Sequence, residues 1–116
     1  LRERTPTLYR GLTMSKTSKK DIRQLRAIGH KLKPVVTVAG NGLSDNVVAE
    51  IDRALEQHEL IKLKLAVGDR EAKAAVTEAV CQRCRAELVQ SIGNVILILR
   101  RTAQPDPRLS NLLRHM

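Results

Sequence analysis

The residues with the most chemistry in their spacing are Gly40-Asn41-Gly42, set between the short β-run Val35-Val36-Thr37-Val38-Ala39 and the cap-type residue Ser44. A strand that breaks into a glycine loop and then opens a helix turns backbone N–H groups outward. The helix N-terminus adds partial positive charge, so the junction suits an anion. The segment that feeds the strand, His30-Lys31-Leu32-Lys33-Pro34, is basic. A phosphate-bearing ligand is the chemistry these residues point to. The loop lacks the Gly-x-x-x-x-Gly-Lys-Ser/Thr pattern of a nucleoside-triphosphate site and the third glycine of a dinucleotide fingerprint.

Two other constellations could do chemistry, and neither completes itself. Cys81-Gln82-Arg83-Cys84 has the CxxC spacing of a redox pair or half a zinc site. Zinc needs four ligands, and His30, His58 and His115 show no paired spacing. A thioredoxin-type pair needs a helix N-terminus to lower the thiol pKa, whereas these cysteines fall at a helix end where the dipole has the wrong sign. They read as structural or incidental thiols, with no metal expected. His58-Glu59 resembles a base and its orienting carboxylate, but His58 continues the apolar stripe of Leu55 at helical spacing and no nucleophile is readable beside it. A helix-end histidine favoured by the C-terminal dipole accounts for it, and no catalytic residue is assigned.

Composition favours a polymer as the phosphate ligand. The 116 residues carry 21 Lys and Arg against 12 acidic residues, a net charge of +9. Such a charge attracts polyanions over about a Debye length, so nucleic acid or an anionic membrane surface are the candidates. No apolar run approaches the roughly 20 residues that span a bilayer, and no signal-peptide pattern opens the chain. A cytoplasmic protein without membrane contact is the expectation. Trp and Phe are absent and Tyr9 is the single aromatic. Readout by stacking bases on aromatic platforms is therefore excluded, which leaves phosphate and shape.

The elements that position these residues follow from periodicity. Residues 1–13 show no period and read as a disordered extension or upstream sequence ahead of Met14, with one domain over 14–101 and a flexible tail over 102–116. Ser18 and Asp21 resemble a capping box, after which Ile22, Leu25, Ile28 and Leu32 recur at helical spacing. Lys19, Lys20, Arg23 and Arg26 line the opposite face, a basic helix that ends near Gly29. Ser44 caps a second helix with apolar Val47, Val48, Ile51, Ala54 and Leu55 and an exposed face of Asp45, Glu50, Asp52 and Glu56, acidic in sum with Arg53 as the exception. Leu60 to Val67 alternates as a strand, with Ile61, Leu63, Leu65 and Val67 inward and Lys62 and Lys64 outward.

Asp69 caps a third helix with the stripe Ala72, Ala75, Val76, Ala79 and Val80. Glu87–Ile92 and Val95–Arg100 form two strands joined by Gly93-Asn94 as a tight hairpin. The second is apolar without alternation, so it is covered on both faces. The chain is thus α/β, one compact domain of order helix-strand-helix-strand-helix-strand-strand. A four-stranded mixed sheet results, with the two crossover helices on one face and the first helix on the other. The tail leaves the domain at Pro105 and Pro107, with Leu109, Leu112 and Leu113 docking at most weakly.

Four segments then resemble a known family: His30-x-Leu32-Lys33-Pro34-Val35-Val36, Asn41-Gly42-Leu43-Ser44, Glu50-Ile51-x-x-Ala54-Leu55-x-x-His58-Glu59-Leu60-Ile61-Lys62 and Ile92-Gly93. They are similar to the CRM family, the RNA-binding domains of chloroplast splicing and ribosome-maturation factors, and in particular to its stand-alone bacterial YhbY-like members. The resemblance spans Ser18 to about Arg101. It implies the fold just read, with a KH-like Gly-x-x-Gly loop between the first strand and the second helix. It also implies association with precursors of the large ribosomal subunit. Two positions depart from the pattern: Ala39 stands where the loop's first glycine is usual, and Leu99 where an aromatic is common.

The expected function is a non-enzymatic RNA-binding protein that recognises structured ribosomal RNA as a monomer, without cofactor. Gly40, Asn41 and Gly42 are the expected backbone contacts. Lys31 and Lys33, with Lys19, Lys20, Arg23 and Arg26, are expected to neutralise neighbouring phosphates. The alternative of a different class is a small enzyme acting on a phosphorylated or nucleotide substrate, which requires a pocket around a perturbed His58 or Cys81.

Overall fold

The computed structural model describes residues 19–39 and 42–114. Its elements run α1 (Lys19–His30), β1 (Pro34–Ala39), α2 (Asp45–His58), β2 (Leu60–Ala66), α3 (Arg70–Arg83), β3 (Glu87–Ile92), β4 (Val95–Leu99) and α4 (Asn111–Arg114). Local chemistry sets their limits. The Ser44 hydroxyl accepts the Val47 N–H at 3.2 Å to cap α2, and the Asp69 carboxylate accepts the Ala72 N–H at 2.8 Å to cap α3. Gly93, at φ 57, takes the first position of the two-residue hairpin turn, where a side chain would be strained.

The strands lie in the order β1-β2-β4-β3. β1 pairs parallel with β2, and β4 runs antiparallel between β2 and β3. Both crossovers, β1-α2-β2 and β2-α3-β3, therefore step the same way across the sheet. With a common hand they place α2 and α3 on one face. That face holds the larger core, where Val36, Val38, Ile61, Leu63, Leu65, Ile96 and Ile98 meet Ile51 and Leu55 of α2 and Val80 and Cys84 of α3. The other face packs Leu60, Val89, Leu97 and Leu99 under Leu25 and Ile28 of α1 and Leu112 of α4. β4 feeds both cores alternately, which is why its sequence shows no polar face. α1 ends at His30, one residue past Gly29, and a Cβ at Gly29 would run into the Leu97 side chain. The glycine lets the helix approach the sheet closely.

Three expectations need correction. Within the third helix's stripe Ala75 is exposed, while Cys84 is buried. α3 rests on the sheet through its C-terminal half, and a cleft of about 700 Å³ opens between its Arg70-to-Cys81 flank and β3. Val67 falls just outside β2 and is half-buried rather than fully inside. The third concerns the expected flexible tail beyond residue 101. Ser110, Asn111 and Leu112 are buried, held by hydrogen bonds to Glu59 and Leu60, so the chain folds back onto the domain as far as Leu113. The signal was hidden because only Leu112 of the segment's leucines enters the core, while its polar anchors at Glu59 and Leu60 lie far away in sequence. Residues 1–13 and Ser18 lie outside the described residues.

Candidate nucleic-acid interface

The glycine junction is built as its sequence suggests where it is described. The Gly42 N–H donates to the Ala39 carbonyl at 3.0 Å, closing a tight turn between β1 and α2. Gly42 has φ 91, in the region that L side chains avoid. A Cβ built there meets nothing within 4 Å. Backbone conformation rather than crowding thus requires the glycine, and the space in front of it is open to a ligand. Gly40 and Asn41, between them, lie outside the described residues.

The cations expected to share this site are only partly brought together. Lys31 and Lys33 are exposed in the turn that follows α1, at the start of β1. Gly42 lies beyond the other end of that strand, so six extended residues, about 20 Å, separate them. Arg23 and Arg26 are exposed on the outer side of α1. Lys19 and Lys20 begin that helix, and their side chains lie outside the described residues.

Between the two ends of β1 runs a further exposed surface. α1 covers the β4 side of its face and leaves the β1 side open. Thr37 pairs in register with Lys64 and Ala39 with Ala66, and all four are exposed. Lys62, half-buried, shares their face, and Val35 beside them is 51% exposed. Neither β1 nor β2 contains a carboxylate residue. The period-2 alternation of Lys62 and Lys64 already marked them as outward; only the strand order shows that this outward face is uncovered.

The opposite side of the molecule carries the negative charge and neutralises part of it internally. Asp45 pairs with Arg83 at 3.1 Å. The Arg100 guanidinium reaches Asp52 at 2.7 Å and Glu56 at 3.5 Å, and it also donates to the Cys84 carbonyl at 2.8 Å and the Asp52 carbonyl at 3.0 Å. Arg100 ties the end of β4 to α2 and to the end of α3, whereas the Arg83–Asp45 pair is exposed to solvent.

The cleft beside α3 does reach Cys81, but the thiol there is shifted in the wrong direction for a nucleophile. Burial pushes the Cys81 thiol up to about 11, reinforced by the nearby Cys84 and Glu87, and burial also raises Cys84. Both are free, protonated thiols at neutral pH, the opposite of a redox nucleophile. His58 Nδ1 donates to the Leu109 carbonyl at 2.8 Å, a structural bond at the end of α2. Among the described residues no cluster of His, Cys, Asp and Glu could hold a metal ion. No helix among them is long and apolar enough to cross a membrane.

Comparison with known proteins places the chain in a family. The profile of the CRS1 / YhbY (CRM) domain matches residues 18–100. The chain belongs to the CRM domain family. A probable RNA-binding protein of Pseudomonas aeruginosa is 48% identical over 92 residues, covering 79% of this chain and 88% of that protein. An RNA-binding protein of Haemophilus influenzae is 42% identical over 87 residues, covering 75% and 88%. Among solved structures, a hypothetical protein of Staphylococcus aureus superposes with a TM-score of 0.67 at 32% identity, over 75% of this chain and 91% of that one. The CRM match therefore reaches from the start of α1 through β4 and stops before the docked tail.

Proposed function

We propose that this CRM domain is a non-catalytic RNA-binding protein that engages structured ribosomal RNA along β1, from the Gly42 turn to Lys31 and Lys33. The observation that carries the reading is the open, carboxylate-free half of the sheet with Lys62 and Lys64 on it, joined to a turn whose glycine faces empty space. Phosphates are held there by lysines, arginines and backbone N–H groups, which position a ligand without reading its sequence. A chain with one aromatic residue has no stacking platform for splayed bases, so the ligand is a folded or duplex RNA recognised by shape. The names of its relatives support RNA as the partner.

The family resemblance supports the narrower reading, a monomeric assembly factor of the large ribosomal subunit. Crosslinking in cells followed by sequencing tests it. Reads should concentrate on one structured region of large-subunit RNA, and the protein should sediment with large-subunit precursors in a sucrose gradient. Crosslinks scattered over messenger RNA, with the protein at the top of the gradient, would overturn the ribosomal assignment while leaving RNA binding intact.

A further inference from the structure

The segment beyond the CRM match is tied to the domain by a set of bonds that converge on one buried residue. Glu59 is 3% exposed and sits at φ 63, capping α2 where the chain turns into β2. Its carboxylate accepts the Thr102 N–H at 2.7 Å through one oxygen and the Ser110 hydroxyl at 2.6 Å through the other. Beside it, the Asn111 side-chain amide donates to the Leu60 carbonyl at 2.6 Å. A buried carboxylate costs a great deal unless its oxygens are bonded, so this site favours one arrangement of the tail over any other.

That arrangement places Leu112 in the smaller core, against Leu25 and Ile28 of α1. A cavity of about 290 Å³ lies between the two elements, with Asp21 and Gln24 on the α1 side and Thr102 and Pro105 on the tail side. Arg23 and Arg26 are exposed, and helical spacing turns them away from that cavity. The tail therefore supports α1 without competing for its cations. A 12-residue helix is marginal on its own, and α1 is held by packing rather than by propensity.

We infer that residues 102–113 form a clasp that positions the basic helix α1, so that the RNA-binding face is complete only when the tail is docked. The inference rests on the RNA-binding reading above. Glu59, Ser110 and Leu112 are positioning residues that touch no RNA. Their loss removes the phosphate contacts of α1 without removing those of β2.

The test uses the full chain, a structured fragment of large-subunit ribosomal RNA as probe, and five proteins besides wild type: L112A, L112M, S110A, R23Q/R26Q and the combined L112A/R23Q/R26Q. Amide exchange is read first. In L112A and S110A the α1 amides should exchange at least tenfold faster while β2 and β4 stay protected, and L112M, which keeps the volume, should behave as wild type. Affinity comes second. L112A should bind about tenfold more weakly, with a salt slope flattened by the equivalent of the lost α1 contacts, about 0.7–0.9 for each. The combined variant should bind no more weakly than R23Q/R26Q, because both changes remove the same contacts. Unchanged α1 exchange in both L112A and S110A would overturn the clasp, as would affinity losses that simply add. Wild-type protein that ignores the RNA sinks the functional half together with the reading it rests on, while exchange still decides whether the tail holds α1.

Discussion

The two faces of the sheet are built from the same strands and differ in how completely they are covered. Two helices of 14 residues close the α2/α3 face over the larger core, apart from the cleft beside β3, and Arg83 and Arg100 bond to carboxylates of α2. On the other face one 12-residue helix and the docked tail cover β4 and β3 and leave β1 bare. Charge follows cover. Asp45, Glu50, Asp52 and Glu56 lie on α2, while Arg23, Arg26, Lys31, Lys33, Lys62 and Lys64 belong to the elements of the open side. The closed face supplies stability, which leaves the half-covered one free to meet a polyanion, and acidic residues on the far side help orient the molecule toward it.

The largest effect that would sharpen this comparison is expected in the closed core. Leu55→Ala empties a fully buried position and should cost about 2–5 kcal/mol of stability in urea unfolding. It should alter RNA affinity little at temperatures where the variant stays folded. A next test removes charge from the open side. Neutralising Arg23, Arg26, Lys62 and Lys64 together should lower affinity by one to two orders of magnitude and flatten the slope of log K against log salt by about 3, at 0.7–0.9 per phosphate contact. Glu50→Gln on the exposed face of α2 should not weaken binding. Equal losses from the two sets would break the assignment of faces. Asp52 is a poor control, because it holds Arg100.

Arg100→Met probes a cation that belongs to the closed face. Losing its bonds to Asp52 and the Cys84 carbonyl should cost about 1.5–3 kcal/mol of stability, with affinity measured on folded protein changed less than twofold. At the turn, Gly42→Val should reduce binding about tenfold, as the β-branched residue opposes φ 91 and fills the open space. Asn41→Ala should cost less. A Gly42→Val protein with a wild-type melting curve and wild-type affinity would make the junction only a turn.

The smallest effect concerns the thiols. With Cys81 pushed up to about 11, the folded chain keeps its proton while an unfolded thiol, near 8.5, ionises. Alkylation by iodoacetamide should therefore be slow at pH 8 and accelerate only as pH approaches 11. Because the folded-state value is raised, this contribution to stability is constant below about pH 8.5 and declines as pH rises toward 11. Rapid modification at pH 8 with retained structure would show that the helix end is open.

Much of this was legible in the chain itself. Helical and alternating periods, Ser44 and Asp69 as caps and Gly93-Asn94 as a hairpin turn placed all seven main elements, since each is a local preference written in neighbouring residues. The unbroken apolar run Val95–Leu99 announced a strand covered on both faces. Lys62 and Lys64 were readable as outward-facing.

Other features depend on residues distant in sequence. That β4 inserts between β2 and β3 leaves β1 at an edge, and only that order exposes the face around Thr37 and Lys64. Lys31 and Lys33, adjacent to the glycine loop in reading order, stand a strand's length from it, because a β-strand separates its ends by about 3.3 Å per residue. Gly29 marks the helix end in the sequence, but its second role, making room for the Leu97 side chain 68 positions later, shows only in the packing. The tail read as loose because proline and polar residues dominate it, while its anchor is a buried carboxylate at Glu59, 51 residues from Ser110. Periodicity and capping record what each segment does with its neighbours. Coverage, charge placement and the clasp depend on which segments meet, and that was decided only when the sheet closed its order.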